Sequence, residues 1–177
     1  MKNGTGLIHI ICGDGKGKTT AAIGLSVRAA GRNQKVLIAR FLKSNDSGEL
    51  ITLEKIEQIT VIPVTKYFGF TWQMNDEQKV EAKEYYNDTL KQAIQVASEE
   101  EYDLLVLDEI LSVYNYGFVE HEVLLHFLAN KPKNLEVVMT GRDPKEEVCA
   151  FADYISEVKK VKHPYEQGVP ARIGIEF

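Results

Sequence analysis

Lys18 and Thr19 follow directly on three glycines at alternate positions, Gly13, Gly15 and Gly17, in the stretch CGDGKGKTT. Those residue types in that order suit a polyphosphate. Main-chain N–H groups can curl around an anion only where side-chain bulk is absent, and glycine supplies that absence. Lys18 adds a point charge, Thr19 a hydroxyl suited to magnesium, and a helix starting near Thr19 aims its positive end at the anion. The usual spacing, G-x-x-x-x-G-K-[ST], is met except that Cys12 stands where the first glycine would be. A glycine-rich turn without a ligand would not explain a lysine and a threonine at its far end. The candidate contacts are therefore Gly13, Asp14, Gly15, Lys16, Gly17, Lys18, Thr19 and Thr20.

A second chemistry-bearing group ends the apolar run YDLLVLDEI over residues 102–110. A buried strand there would deliver Asp108 and Glu109 beside the loop, where carboxylates hold magnesium or its water. An apolar run ending in two acids says little alone. Downstream of a phosphate loop it supplies the other half of a nucleotide site, with Thr19, Asp108 and Glu109 as candidate metal ligands.

Elements must place these groups at one edge of a sheet. Residues 7–12 read as a strand and the segment from about 19 to 30 as a helix stopped by Gly31. Residues 35–41, KVLIARF, have the continuous apolar character of a strand covered on both faces, with Arg40 and Lys43 at the ligand-facing end. A loop over 42–48, a short helix over 49–57 and a strand over 59–64 interrupted by Pro63 follow. Asn75 or Asp76 caps a helix running to about Ser98, with Val80, Tyr85, Leu90, Ile94 and Ala97 spaced as its buried stripe. A helix over 120–130 carries His121 and His126, both read as ordinary helix residues. A strand over 135–139 delivers Thr140, Gly141 and Arg142 to the ligand edge, where Arg142 could meet phosphate or only pair with a carboxylate. Pro144 opens a helix through Ala152. Residues 154–161 and 171–177 read as final strands, open to an antiparallel arrangement. The whole predicts one α/β domain over residues 1–177: a mostly parallel sheet with helices on both faces, of the phosphate-loop NTPase type.

The segment 66–74, KYFGFTWQM, fits neither period. It gathers Tyr67, Phe68, Phe70 and the only Trp, Trp72, around Gly69. It is either a loop tucking aromatics into the core or an aromatic platform for a flat ligand.

Composition limits the alternatives. With 177 residues, 44% hydrophobic and 27% charged, the chain suits one sizeable core. A net charge of −5 argues against affinity for nucleic acid built on phosphate neutralisation. Two cysteines make no disulfide framework, and no apolar run is long enough to cross a bilayer, so a cytoplasmic protein without membrane or nucleic-acid partners is expected. A GTP switch is disfavoured, since residues 130–133, NKPK, place lysine where the guanine-reading N-K-x-D pattern needs aspartate. A kinase, a hydrolase and a nucleotidyl or adenosyl transferase stay open on the residues alone.

The blocks GDGKGKTTAAIG, Arg28 to Gly31 (R-x-x-G), FGFTW, LLVLDE, VVMTGRD, D-x-x-S-E-V from Asp153, VKHPYEQGV and IGIEF occur in the order found in ATP:corrinoid adenosyltransferases. The chain resembles the phosphate-loop, RecA-like type of that family, the cob(I)alamin and cob(I)yrinic acid a,c-diamide adenosyltransferases, nearly from end to end. The resemblance implies that ATP donates its 5′-deoxyadenosyl group to cobalt(I) of a corrinoid, giving adenosylcobalamin or adenosylcobinamide and free triphosphate. It implies magnesium or manganese, a flavoprotein reductant and a homodimer. It implies that the triphosphate lies reversed in the cradle, that Lys18 and Thr19 stabilise the departing charge, and that Arg28, Lys43 and Arg142 join the binding site. Phe70 and Trp72 fall on an F-x-W pair that, in the family, excludes the lower axial ligand of cobalt(II). Two departures stand out. Asp14 replaces a frequent Asn, adding a carboxylate near phosphate. The six residues before the first strand are shorter than the arm that covers the corrinoid in some relatives, which implies looser closure or closure by the other subunit. The rivals are a phosphate-loop small-molecule kinase or ATPase and a corrinoid carrier or regulator without turnover.

Overall fold

Alternation within the strands separates the two faces of the sheet. In β1 (Ile8–Cys12), Ile8, Ile10 and Cys12 enter one apolar cluster while Ile11 packs on another. The same split places Leu37 and Ala39 of β2 (Val36–Arg40) opposite Val36 and Ile38, and Leu105 and Leu107 of β4 (Leu104–Asp108) opposite Leu104 and Val106. Strands apolar on both faces must be covered on both. α1 (Lys18–Ala30) and α2 (Gly48–Leu53) cover one face. α3 (Asp76–Glu99), α4 (Ile110–Asn115), α5 (His121–Asn130) and α6 (Glu146–Cys149) cover the other. With β3 (Ile59–Val61), β5 (Glu136–Thr140) and β6 (Tyr154–Glu157), the strand order is β3-β2-β4-β5-β1-β6, and every pairing is parallel. This computed structural model describes residues 5–69 and 71–177.

Because all strands run one way, their C-terminal ends share one edge. The loop 13–17 after β1 is flanked there by the residues that follow β5 and β6, the two neighbours of β1. Register pairs Arg40 with Asp108, and Leu107 with Met139, which sets Asp108 beside Thr140. Among the described residues, no helix is long and apolar enough to cross a membrane.

Several expected elements differ. Residues 171–177 form turns instead of a strand: Gly174 has φ of 77°, and Arg172 pairs locally with Glu176, so the chain curls where a strand must extend. β6 is therefore the edge strand beyond β1, parallel to it, and nothing runs antiparallel among the described strands. The buried stripe of α3 is Ala82, Tyr86, Leu90, Ala93 and Ala97, while Val80 is exposed. The expected stripe favoured large side chains, whereas the helix lies close to the sheet through alanines. Asn75 does cap α3, through a reciprocal box with Gln78 that contributes about 1 kcal/mol. α4 was not foreseen, since Ile110 reads as the end of a strand but begins a helix after Glu109 takes a left-handed φ of 64°.

Candidate active site

The loop after β1 is shaped by the chain that follows β6. The Val158 N–H donates to the Cys12 carbonyl, and the Val158 carbonyl accepts the Gly15 N–H, each at 2.8 Å. That crossing leaves no space for side chains. A methyl group on Gly13 would lie 2.5 Å from the Val158 oxygen, and one on Gly15 would lie 2.7 Å from it. Two of the three glycines are thus required by a neighbouring backbone, a reason the sequence reading did not contain. Gly13 also has φ of 107°. Gly13→Ala should therefore destabilise the ligand-free protein by about 1–3 kcal/mol from backbone strain alone, before the clash is relieved. Chemical denaturation without nucleotide measures this, and an unchanged midpoint would contradict the crossing.

The open part of the loop faces solvent. Nothing lies within 4 Å of the space a side chain on Gly17 would take. α1 begins at Lys18, and its first internal hydrogen bond runs from the Ala21 N–H to the Gly17 carbonyl. The amides of Lys18, Thr19 and Thr20 have no acceptor within the helix, which is the arrangement that holds anions. No acidic residue in the first turn offsets that end of α1.

Lys18 is buried, and its Nζ donates to the Gly15 carbonyl at 2.9 Å. Burial lowers its pKa; Glu109 opposes that shift, while the positive charges of Arg142 and Lys43 add to it. The Thr19 hydroxyl donates to Asp108 Oδ1 at 2.9 Å, and the Thr140 hydroxyl donates to the same oxygen at 2.7 Å. Asp108 is almost fully buried. Lys43 Nζ stands 3.4 Å from Thr19 Oγ1 and 3.8 Å from Asp108 Oδ2. Lys18, Thr19, Lys43 and Asp108 are thereby brought together. Thr140 joins them as a residue whose role was missed; its signal was its place at a strand end level with Asp108.

Other expected site residues are placed differently. Glu109 donates its backbone N–H to Thr140 Oγ1 and accepts the Ser112 hydroxyl at 2.7 Å, so its carboxylate is held toward α4 while Asp108 meets Thr19. Asp14 accepts the Lys160 N–H at 3.0 Å, which holds its carboxyl below the usual value and gives it a backbone partner. Lys16 pairs with Glu176 at 3.3 Å. Arg142 is exposed and contributes positive charge at both Lys18 and Asp14. Arg28 is exposed in the last turn of α1, about 15 Å of helical rise beyond Lys18, and the structure does not bring it to the loop.

The aromatic segment divides. Phe68 packs against Tyr85 and Tyr86, with ring centroids 5.7 Å from each, and Met74 is buried. Trp72 lies on a short 3-10 helix, Thr71–Gln73, and is 74% exposed. Phe70 lies outside the described residues. The segment hangs from the Lys43 loop: Asn45 Nδ2 donates to the Val64 carbonyl at 2.6 Å, and the Arg40 guanidinium holds that loop through the Ser44 carbonyl. His121 stacks on Tyr114 at 3.7 Å and bonds its carbonyl oxygen, a packing role consistent with the sequence reading.

A glycine loop between β1 and α1, with a buried aspartate at the end of β4 meeting the first helical threonine, defines an α/β domain of the phosphate-loop NTPase class. The fold is like that of ATPases 2 and 3 of Thermomonospora curvata EccC, with a TM-score of 0.52 at 16% identity over 97% of this chain, which spans about a third (35%) of that one. The chain belongs to the family described as ATP:corrinoid adenosyltransferase BtuR/CobO/CobP, which matches residues 4–177. It is 32% identical over 173 residues to the corrinoid adenosyltransferase of Escherichia coli strain K12, covering 97% of this chain and 86% of that protein. Identity to corrinoid adenosyltransferase CobA of Salmonella typhimurium is 31% with the same coverages, and to the corrinoid adenosyltransferase of Pseudomonas aeruginosa 32%, covering 97% and 84%.

Proposed function

We propose that this chain transfers the 5′-deoxyadenosyl group of ATP to cobalt(I) of a corrinoid and releases triphosphate. The observation that carries the reading is the cluster of Lys18, Thr19 and Asp108 at the C-terminal edge of the sheet; the segment after β3, tied through Val64 and Asn45 to the loop that carries Lys43, presents Trp72 outward. Family membership supplies the substrates, and the geometry supports the division of labour between them.

Triphosphate is held by the amides of Lys18, Thr19 and Thr20 and by the Lys18 ammonium. As the C5′–O bond breaks, negative charge grows on the departing oxygen and is drawn along the triphosphate. Fixed donors already in place stabilise that charge without reorganising. Cobalt(I) brings the electron pair that forms the new Co–C bond, so no protein group acts as a general base. The hydroxyl of Thr19 and the carboxylate of Asp108 are hard oxygen donors in contact, which fits magnesium or manganese completed by phosphate and water. Among the described residues no group of three or more His, Cys, Asp or Glu forms an all-protein cage. Magnesium bound there would neutralise part of the triphosphate charge.

Trp72 supplies an apolar face with no lone pair to offer cobalt, the basis for lower-ligand exclusion in the family. Phe70 is proposed as its partner, and Arg142 as a cation for phosphate or corrin carboxamides. A homodimer, a flavoprotein electron donor and a cytoplasmic setting belong to the same reading. Incubation with ATP, magnesium and cob(I)alamin should yield triphosphate and the visible spectrum of an adenosylated corrinoid. ADP in place of triphosphate would identify a kinase or ATPase. Bound corrinoid with no nucleotide consumed would identify a carrier.

A further inference from the structure

Residues 158–177 touch the phosphate loop at two separated points. At the first, the contacts are to backbone: the Val158 carbonyl holds the Gly15 N–H, and the Lys160 N–H is held by Asp14. The chain then leaves through a 3-10 turn, Pro164–Gln167, and returns so that Glu176 Oε1 lies 3.3 Å from Lys16 Nζ. The Phe177 carbonyl comes to 4.0 Å from the space a side chain on Gly48 would take, so the segment passes from the β6 flank of the loop to the start of α2. Its middle is not glued down by apolar burial, since Val161, Tyr165 and Ile173 are 94%, 75% and 85% exposed. Few buried apolar contacts mean that local opening costs little.

We propose that residues 158–177 are a strap over the phosphate loop, latched by Glu176 on Lys16, and that a polyphosphate binding the loop releases the latch by taking Lys16 for itself. The inference rests on the phosphate-loop reading of the site and is independent of the corrinoid. Lys16 lies between Gly15 and Gly17 with its side chain partly exposed, within reach of an anion held by the loop, and that anion repels the like charge of Glu176. A polyphosphate carries several charges against one on the carboxylate. Arg172 keeps Glu176 charged: its side-chain and backbone donors hold that carboxyl down to about 2, with Lys16 contributing less. The latch is therefore set across the working pH range and answers to anions.

In the ligand-free protein Glu176 competes with phosphate for Lys16, so its removal tightens binding. Calorimetric titration of Glu176→Gln should show ATP and inorganic tripolyphosphate bound about two- to fivefold more tightly than by the unsubstituted chain, the scale of an exposed ion pair. The gain should shrink at high salt and vanish in a Lys16→Met background. Unchanged or weaker binding by Glu176→Gln, or a gain that persists with Lys16→Met, overturns the latch while leaving the nucleotide site standing. Failure of the unsubstituted chain to bind either ligand would overturn the nucleotide site and the latch together.

Discussion

Lys18→Met is expected to lower turnover about 10²- to 10³-fold with the fold intact. The side chain is buried with its ammonium on the Gly15 carbonyl, and burial pushes its pKa down, so the protein already bears a desolvation cost to keep a charge at this point. Methionine matches the volume and removes that cost, although the Gly15 carbonyl loses a donor. The two changes oppose one another, and thermal stability should move little. Catalysis has no such offset. In the proposed transfer, charge on the departing triphosphate is greater in the transition state than in bound ATP, and loss of one preorganised donor to developing charge costs about 10²- to 10³-fold. The split between constants is the sharper measurement: kcat should fall much more than ATP affinity, because an interaction strongest in the transition state is the one removed. Equal weakening of ground-state affinity with unchanged kcat would assign Lys18 to uniform binding only.

The neighbours of Lys18 explain how far the site was legible in the sequence. Glycine, lysine, threonine and a strand-end aspartate at their spacings identify the kind of loop, and parallel strand order then carries Asp108 to Thr19. Local pattern determines that much because each residue type has few other reasons to be there. Contacts made by distant backbone were not legible. Nothing in the spacing of Gly13 and Gly15 distinguishes a glycine that admits phosphate from one that admits Val158, and the crossing arises only because β6 pairs beyond β1. Asp14 illustrates the same limit. Read from sequence it is an extra carboxylate near phosphate; that one of its oxygens accepts the Lys160 N–H is a contact only the fold reveals. The strand expected over 171–177 failed for a related reason. Its alternating apolar residues suit extended backbone, but Gly174 and the Arg172 to Glu176 pairing turn it back onto Lys16.

The aromatic segment is divided, with Phe68 packed on α3, Met74 buried and Trp72 exposed, and that division makes Trp72 the sharper test of the corrinoid reading. Phe68 packs on α3 and Met74 is buried in the core, so truncating Trp72 removes an exposed face without removing these anchors. Trp72→Ala should therefore fold normally. Its effect should depend on which oxidation state is supplied. Cobalt(II) becomes easier to reduce when no base or water donates electron density from below, and a dry aromatic face denies that donor access. Opening the face restores a donor, and a shift of about 120 mV in a one-electron couple corresponds to about 100-fold in the reduced fraction. The rate from cobalt(II) with a reductant should fall by that order. With chemically prepared cobalt(I) the reduction step is already complete, and only the packing of one ring is lost, a cost of less than about tenfold. Electron paramagnetic resonance of the cobalt(II) complex gives an independent readout, since four-coordinate and five-coordinate ions differ and the variant should shift toward the latter. Equal losses from both oxidation states, with an unchanged cobalt(II) spectrum, would move Trp72 from axial-ligand exclusion to simple corrin contact.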